Sequence, residues 1–354
     1  MTVSRRHFLK LSAAACASPV VPACSAHRRM LRDGVPRSAF NAKSTAEEVT
    51  DGIDLSGKVA LVTGCTSGIG FETMRVLAMR GANVIGTSRS LERAKAAGNR
   101  VDGATLPLQL ELSDFESVVK CAESIRSLHS PLDILVCNAG FLGGTNHRSL
   151  INGVEKHFVV NHLGHFVLVN RLLDRLCGSH QGRVVVVASA WAYSNALGSG
   201  IQFGDLTLAQ DYGDRRAYAH SKLANVLFSL ELGRRLRGSR VTSNSLHPGM
   251  INTEIDRNMN HFMQFGFRIF AGIVGKTIEE GAATSCYVAT SPLLSTTSGM
   301  YFENCNAVSI TGDHHMQDGA MAARLWQVSE DLTKDYLVAH DLRDLRSTAQ
   351  HSRH

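Results

Sequence analysis

Short apolar runs alternate with longer helical stretches along most of this chain. The runs at 58–63 and 183–188 are almost wholly apolar, which is typical of strands buried on both faces. Because helical stretches separate successive runs, we expect right-handed crossovers between parallel strands. This pattern predicts an α/β fold with one mainly parallel sheet flanked by helices. Its seven strands are expected near 58–63, 83–87, 104–109, 133–137, 183–188, 241–246 and 299–303.

The carboxyl end predicts one more amphipathic helix, over residues 319–337. Its apolar residues recur at helical spacing. The residues predicted to face the body of the protein are Met321, Leu325, Trp326, Val328 and Leu332. The polar tail at 339–354 is expected to be disordered.

The first 26 residues are typical of an export signal. Ser4-Arg5-Arg6-His7-Phe8-Leu9-Lys10 resembles the twin-arginine signal of bacteria, and a mildly apolar run follows that is too short to span a membrane. Val21-Pro22-Ala23-Cys24 also resembles a lipoprotein cleavage box, which would leave Cys24 lipidated. We therefore predict a periplasmic or membrane-anchored protein, with a cytoplasmic protein as the alternative. Residues 27–54 are interpreted as a linker, and 55–338 as a single domain.

Composition agrees with a globular protein. The chain has 354 residues, of which 44% are hydrophobic and 19% charged, so it can bury a large core. The formal net charge of +6 includes three cations of the signal segment. Arg28, Arg29, Arg32 and Arg37 are expected to be solvated or to face a membrane surface, and no nucleic-acid site or transmembrane span is predicted. The eight cysteines have no C-x-x-C spacing and His314-His315 lacks a third ligand, so no metal site is predicted.

A glycine-rich turn follows the first predicted strand. Gly64, Gly68 and Gly70 lie between the strand at 58–63 and a helical stretch that begins at Phe71. A strand, a tight glycine turn and a helix N-terminus bring main-chain N–H groups and the helix dipole close to a pyrophosphate. The turn therefore predicts a dinucleotide site.

Four polar residues further along predict carbonyl chemistry. Tyr218 and Lys222 are four positions apart, and on a helix such residues share a face about 5 to 6 Å apart. A neighbouring ammonium favours the phenolate, so Lys222 is expected to lower the pKa of Tyr218. Ser189 follows a buried strand and should emerge at the carboxyl edge of the sheet, where it can hold a carbonyl oxygen. With Asn161, these residues are the predicted catalytic set.

These motifs together resemble those of the short-chain dehydrogenase/reductase family. The resemblance covers residues 55–338 and includes the retinol dehydrogenase branch and the oxidoreductase part of the WW-domain-containing oxidoreductase. It rests on Thr63-Gly64-x-x-x-Gly68-x-Gly70, Cys137-Asn138-Ala139-Gly140, Asn161, Ser189, Tyr218-x-x-x-Lys222 and Pro248-Gly249 with Thr253. It implies a single doubly wound Rossmann domain. The resemblance also implies that Tyr218 is the general acid/base, that Lys222 assists it, that Ser189 holds the substrate oxygen and that Asn161 anchors a water.

The resemblance also implies which residues bind the cofactor. They are Gly64, Thr66, Ser67, Gly68, Ile69, Gly70, Ser88, Arg89, Glu111, Asn138, Ala139, Gly140, Tyr218, Lys222, Pro248, Gly249 and Thr253. Three positions depart from the family pattern: Glu111 stands for an aspartate, Cys137 for an asparagine and Ala188 for a serine. None of these departures removes a predicted catalytic group.

The end of the second strand predicts NADP rather than NAD. An NAD enzyme places a carboxylate there for the ribose 2′-hydroxyl, whereas an arginine accommodates a 2′-phosphate. This chain has Ser88 and Arg89 and no acid within reach. The alternative is that Arg89 is an ordinary solvated cation.

Residues 258–270, with four phenylalanines and two methionines, predict a lipophilic alcohol, aldehyde or ketone as substrate. The alternative is that they form a core or dimer contact, and a homo-oligomer is possible. A non-catalytic NADP-binding sensor or scaffold is the alternative function, disfavoured because the whole catalytic set is present.

Overall fold

The computed structural model describes residues 29–143, 147–195, 198–210, 212–251, 275–312 and 314–338. The predicted signal, Thr253, the segment 258–270 and the tail lie outside these residues. Eleven strands are present in the described part. They are β1 Arg29–Leu31, β2 Val59–Thr63, β3 Asn83–Ser88, β4 Thr105–Gln109, β5 Ile134–Cys137, β6 Leu150–Ile151, β7 Val154–Glu155, β8 Gly182–Val187, β9 Val241–His247, β10 Tyr301–Glu303 and β11 Asn306–Ile310.

One sheet organises the fold, in the order β1-β11-β10-β9-β8-β5-β2-β3-β4. The seven predicted strands form its parallel part, from β10 to β4. The predicted number of strands was too small, because β11 and β1 extend the sheet antiparallel at one edge. Strands β6 and β7 form a separate antiparallel pair.

Helices cover both faces of this sheet. They are α1 Gly68–Met79, α2 Leu91–Gly98, α3 Phe115–Arg126, α4 Lys156–Phe158, α5 Gly164–Arg171, α6 Leu173–Cys177, α7 Trp191–Ser194, α8 Asp214–Arg235, α9 Ile278–Thr290 and α10 Gly319–Thr333. A π-helical turn, Val159–Leu163, joins α4 to α5, and 3₁₀ turns lie at Glu48–Thr50, Pro292–Leu294 and Lys334–Tyr336.

Alternate strand residues supply two separate cores. Leu61 and Val184 face the core that includes α3, α5, α8 and α10, whereas Ala60 and Val185 face the core that includes α1 and α9. This alternation follows from the two-residue period of a strand. Side-chain caps begin several helices: Ser90 caps α2, Asp114 caps α3, and Thr277 forms a capping box with Glu280 on α9.

The segment interpreted as a linker packs against the domain from residue 29 onward. The guanidinium Nε of Arg29 lies 2.7 Å from the Glu303 carboxylate, so this cation is not simply solvated. Ala46, Val49 and Leu55 are buried. The main chain of Ala46 donates to the carbonyl of Glu279 at 2.9 Å. Residues 29–54 therefore form part of the packed structure.

The carboxyl-terminal helix α10 occupies most of the predicted span. Leu325 and Trp326 are buried as expected, but Leu332 is 38% exposed.

The described cysteines, at 65, 121, 137, 177, 286 and 305, are buried and form no disulfide. In the described ranges, no helix is long and apolar enough to cross a bilayer.

Candidate active site

The glycine turn after β2 is as tight as the sequence suggests. Gly64 and Gly68 have φ angles of +71° and +59°, which side-chain-bearing residues rarely adopt. A Cβ on Gly70 would lie 2.2 Å from the carbonyl oxygen of Gly64 and 2.3 Å from Nδ2 of Asn138. Any side chain at Gly70 would therefore push the turn apart.

The N-terminus of α1 is free to receive an anion. The first N–H groups of a helix have no partner within it, and the Ser67 side chain makes no capping bond there. These donors, with the glycines, fit a pyrophosphate.

At the end of β3 the Arg89 side chain is exposed, and no described carboxylate forms an ion pair with it. The Glu111 carboxylate instead accepts hydrogen bonds from the main chain and hydroxyl of Ser113, at 3.0 and 2.7 Å.

Asn138 connects the turn to the end of β5. Its Nδ2 donates to the carbonyls of Thr63 and Gly64 at 2.8 and 3.3 Å. In return, the Thr63 hydroxyl oxygen accepts from the main-chain N–H groups of Asn138 and Ala139 at 3.0 and 2.9 Å. These hydrogen bonds therefore fix the carboxyl ends of β2 and β5 relative to each other.

Asn161 lies in the π-helical turn between α4 and α5. Such turns are rare and frequent at functional sites. Both polar atoms of its side chain form hydrogen bonds. Oδ1 accepts from the N–H of Phe141 at 2.7 Å. Nδ2 donates to the Phe141 carbonyl at 3.0 Å and to the Ser221 hydroxyl at 2.9 Å. The side chain thus ties the chain after β5 to α8, which leaves chemistry at this residue to its main chain.

His165 joins the Asn161 main chain to the glycine turn. Its Nδ1 lies 3.1 Å from the Asn161 carbonyl oxygen, which can only accept, so Nδ1 carries the proton. Nε2 therefore accepts from the Thr63 hydroxyl, at 2.9 Å. Burial lowers the pKa of His165 to about 4, in keeping with a neutral ring. This connection was not predicted from the sequence, although the spacing of four residues between Asn161 and His165 was a signal for it.

Ser189 and Tyr218 meet at the carboxyl edge of the sheet. The Ser189 side chain hydrogen-bonds the Tyr218 hydroxyl, and Ser189 Oγ also accepts from the N–H of Trp191 at 3.2 Å. The Trp191 ring packs edge-on against the Tyr218 ring, with centroids 5.5 Å apart. Burial raises the pKa of Tyr218 to about 12, and the bond to Ser189 opposes that shift.

The Lys222 amine points inward from α8, as the pairing with Tyr218 requires. Nζ donates to the Val187 carbonyl at 2.9 Å and lies 5.5 Å from the centre of the Tyr218 ring. A Cβ on Gly140 would be 3.5 Å from Nζ and 3.8 Å from Oδ1 of Asn161, which are ordinary contact distances, so Gly140 borders both side chains. Burial lowers the pKa of Lys222 to about 8.

The expected lowering of the tyrosine pKa by Lys222 is wrong in this structure. The amine donates to the Val187 carbonyl on β8 and lies 5.5 Å from the centre of the Tyr218 ring, and it makes no hydrogen bond to the phenol. Burial of the phenol is the larger effect, because it disfavours the phenolate. Tyr218 therefore holds its proton throughout the neutral range.

The predicted residues otherwise converge on one edge of the sheet. The glycine turn follows β2, Ser88 ends β3, Asn138 follows β5, Ser189 follows β8, and Pro248 and Gly249 follow β9. This edge of a parallel sheet is where ligands bind in open α/β folds.

Comparison with known proteins identifies the family of this site. The family model of the short chain dehydrogenases matches residues 58–200. The WW domain-containing oxidoreductase of Gallus gallus is 39% identical over 311 residues, covering 85% of this chain and 74% of its own. Retinol dehydrogenase 11 of Homo sapiens is 37% identical over 288 residues, covering 80% and 88%.

A crystal structure supports the same assignment. That of an uncharacterized protein from Mycobacterium Paratuberculosis is similar with a TM-score of 0.64 and 31% identity, covering 81% of this chain and 97% of its own. The resemblance to the retinol dehydrogenases and to the WW domain-containing oxidoreductase is confirmed, as is the Rossmann-type fold. The chain belongs to the short-chain dehydrogenase/reductase family, whose members are NAD(P)-dependent oxidoreductases acting on CH–OH groups.

Proposed function

We propose that this protein interconverts a lipophilic alcohol and its aldehyde or ketone, with NADP as cofactor and Tyr218 as the acid/base. The observation that carries the proposal is the hydrogen bond between Ser189 and Tyr218, beside the buried amine of Lys222. Two hydroxyls that share one edge of the sheet can both bond a single carbonyl oxygen. The nicotinamide, when bound, supplies or accepts the hydride.

Tyr218 serves best as an acid in the direction of carbonyl reduction. With a pKa raised to about 12, the phenol is protonated at neutral pH and can donate to the oxygen of the substrate. Ser189 holds that oxygen while its charge develops. Lys222, with a pKa lowered to about 8, can exchange a proton near neutrality and so return one to the tyrosine.

The aromatic side chains around Tyr218 support a lipophilic substrate. Trp191 packs against Tyr218, and Phe141 stacks on His157 with ring centroids 4.7 Å apart, so aromatic surface flanks the phenol. Retinol dehydrogenase 11 is named for a lipophilic alcohol, and its similarity to this chain supports the same class here.

Preference for NADP rests on Arg89. The test compares kcat/KM with NADPH and NADH, using a panel of lipophilic aldehydes and ketones. Arg89→Gln should reduce the preference for NADPH by about 10-fold or more, because a charge-assisted hydrogen bond is worth ~1.5–3 kcal/mol. Arg93→Gln is the matched control, since Arg93 is also exposed but lies on α2. Equal or better efficiency of the wild type with NADH would remove the claim.

The variant Tyr218→Phe distinguishes a catalytic protein from a non-catalytic sensor or scaffold. We expect the variant to lose turnover by about 10²-fold or more while it binds NADPH as the wild type does. The ring and its packing on Trp191 are retained, so the loss would report the hydroxyl alone. Undiminished turnover in the variant, or no turnover in the wild type over the panel, would favour the non-catalytic alternative.

We also propose export by the twin-arginine route, on the strength of the first 26 residues of the sequence. A protein exported after folding can carry its dinucleotide with it. Cell fractionation and sequencing of the mature N-terminus test this proposal. An intact Met1 on a cytoplasmic protein would end it.

A further inference from the structure

His157 is a buried histidine whose tautomer is fixed by its two hydrogen bonds. Its Nε2 lies 2.9 Å from the main-chain nitrogen of Gly143. Because a main-chain N–H can only donate, Nε2 accepts and the ring proton is on Nδ1. Nδ1 then donates to the Glu155 carboxylate at 2.8 Å. Glu155 and His157 are at most 1% exposed, so the pair is enclosed by protein.

The Glu155 carboxylate is held by the main chain at the beginning of α4. Its second oxygen accepts from the N–H groups of His157 and Phe158, at 2.8 and 3.2 Å. The N–H of Glu155 itself donates to the Leu206 carbonyl at 2.9 Å. The carboxylate cannot turn away from Nδ1 without losing these bonds. Glu155 therefore determines both the tautomer and the orientation of the imidazole.

The hydrogen bond from Gly143 holds the segment that follows β5. At the start of that segment, the Asn161 side chain exchanges two hydrogen bonds with the main chain of Phe141. Two residues later, His157 accepts from Gly143. A Cβ on Gly143 would lie 2.8 Å from Oδ1 of Asp214, so the main chain there packs against the beginning of α8. The main chain that carries Phe141 is therefore fixed at two points.

Phe141 and His157 extend the aromatic surface around Tyr218. The Phe141 ring packs on the His157 ring, with centroids 4.7 Å apart. The His157 ring packs edge-on against the Tyr218 ring, with centroids 6.5 Å apart. Gly140, the residue before Phe141, borders the Lys222 amine. Phe141 is only partly buried, so part of its apolar surface remains accessible near the phenol.

We propose that His157, oriented by Glu155, is a positioning residue that holds Phe141 as an apolar wall for the hydrocarbon part of the substrate. The hydrogen bond to Gly143 fixes the main chain beside Phe141, and the imidazole supports its ring. Substrates with longer apolar chains gain from such a wall, because each buried methylene group stabilises the bound state. The inference rests on the proposed function, since it concerns how the same site binds a lipophilic carbonyl.

The test measures how kcat/KM depends on chain length, with saturating NADPH and the aldehydes propanal, pentanal, heptanal and nonanal. In the wild type we expect kcat/KM to rise along this series. His157→Phe keeps a ring but removes the acceptor for Gly143, so Phe141 should lose its fixed position. We expect kcat/KM for nonanal to fall by about 10-fold, the equivalent of roughly two methylene groups, while that for propanal changes much less.

Two further variants connect this effect to Phe141. His157→Gln keeps an acceptor near the position of Nε2 and should restore most of the chain-length dependence. Phe141→Ala should reduce the dependence by itself, and adding His157→Phe to it should reduce it no further, because the imidazole acts through Phe141. Phe141 is partly exposed, so Phe141→Ala is expected to fold and keeps the test decisive where His157→Phe does not fold.

His220→Phe is the matched control. His220 is also a buried histidine whose Nε2 accepts from a main-chain N–H, that of Gln202, at 3.0 Å. We expect this variant to lower the melting temperature and to leave the chain-length dependence unchanged. The Kd of NADPH, measured by fluorescence titration, should equal that of the wild type in every variant, since none of them changes the glycine turn.

Three results would overturn the proposal while the proposed function stands. They are a chain-length dependence in His157→Phe equal to that of the wild type, one in Phe141→Ala equal to that of the wild type, and a loss in His157→Phe by the same factor for every aldehyde. A wild type that reduces none of the aldehydes, or that reduces them with no preference for long chains, would instead remove the proposed function itself, and this inference with it.

Discussion

At the Tyr218 hydroxyl, burial and hydrogen bonding act in opposite directions. Burial raises the pKa to about 12, and the bond to Ser189 only partly offsets it. Lys222 is shifted the other way, because burial disfavours its charged form and lowers its pKa to about 8. In the neutral range the lysine therefore titrates and the tyrosine does not. The i, i+4 spacing predicted that both groups share a face, but it could not predict how strongly the core desolvates each of them.

These two values predict the pH dependence of carbonyl reduction. Above pH about 8 the Lys222 amine loses its proton, so we expect kcat/KM, which reports groups of the free enzyme, to fall as pH rises through that value. The measurement is a pH profile from 6 to 10 at fixed ionic strength. Lys222→Arg keeps the charge throughout this range, so any residual activity in that variant should lack the inflection. A wild-type profile that is flat to pH 10 would contradict the assignment.

At the scale of elements, the π-helical turn positions Asn161. The sequence identified Asn161 by its motif, yet nothing in the apolar spacing indicated a π turn, because it depends on how α4 and α5 pack around the chain after β5. The same holds for β1, which is only three residues long and gains its structure from pairing with β11. The long parallel strands were predictable because their burial on both faces imposes continuous apolar runs.

The connection from Thr63 through His165 to Asn161 can be tested by His165→Leu. The change leaves the Thr63 hydroxyl without its acceptor and frees the Asn161 carbonyl, so we expect a loss of ~1–3 kcal/mol in stability. Because small displacements of catalytic groups are costly, kcat should fall by about 10-fold or more.

His162→Leu is the control for His165→Leu. His162 is buried on the same helical segment but bonds Ser329, remote from the glycine turn. It should lose stability without a comparable loss in kcat. Equal effects of the two variants on kcat would show that His165 has only a structural role.

In the described part of the molecule, four histidines link folding to pH. Burial lowers the pKa of His162 and His247 to about 3, and those of His165 and His220 to about 4, whereas an unfolded histidine has its ordinary value of 6.5. Between these values the unfolded chain binds more protons than the folded one. Their contribution to stability is therefore complete above pH 6.5 and is lost as pH falls toward 4.

We accordingly expect the free energy of unfolding to be several kcal/mol lower at pH 5 than at pH 7, since each pKa unit is worth ~1.4 kcal/mol. His220→Gln should make this dependence shallower, because it removes one of the titrating histidines and leaves the others. Its amide oxygen can still accept the hydrogen bond that the main chain of Gln202 now gives to the imidazole, but it cannot take up a proton. His180→Gln, at an exposed position, should leave the slope unchanged. Urea denaturation at the two pH values measures the effect, and equal stabilities would contradict it.

The antiparallel strand β1 limits the distance between the domain and any group attached to a residue that precedes the strand. It begins at Arg29, which is held by Glu303 and by pairing with Ile310. Cys24 lies five positions before Arg29, so a lipid on Cys24 would lie at most ~18 Å along the chain from β1. An enzyme with a lipid on Cys24 would lie at the bilayer surface and would bind its substrate from the membrane rather than from the surrounding water.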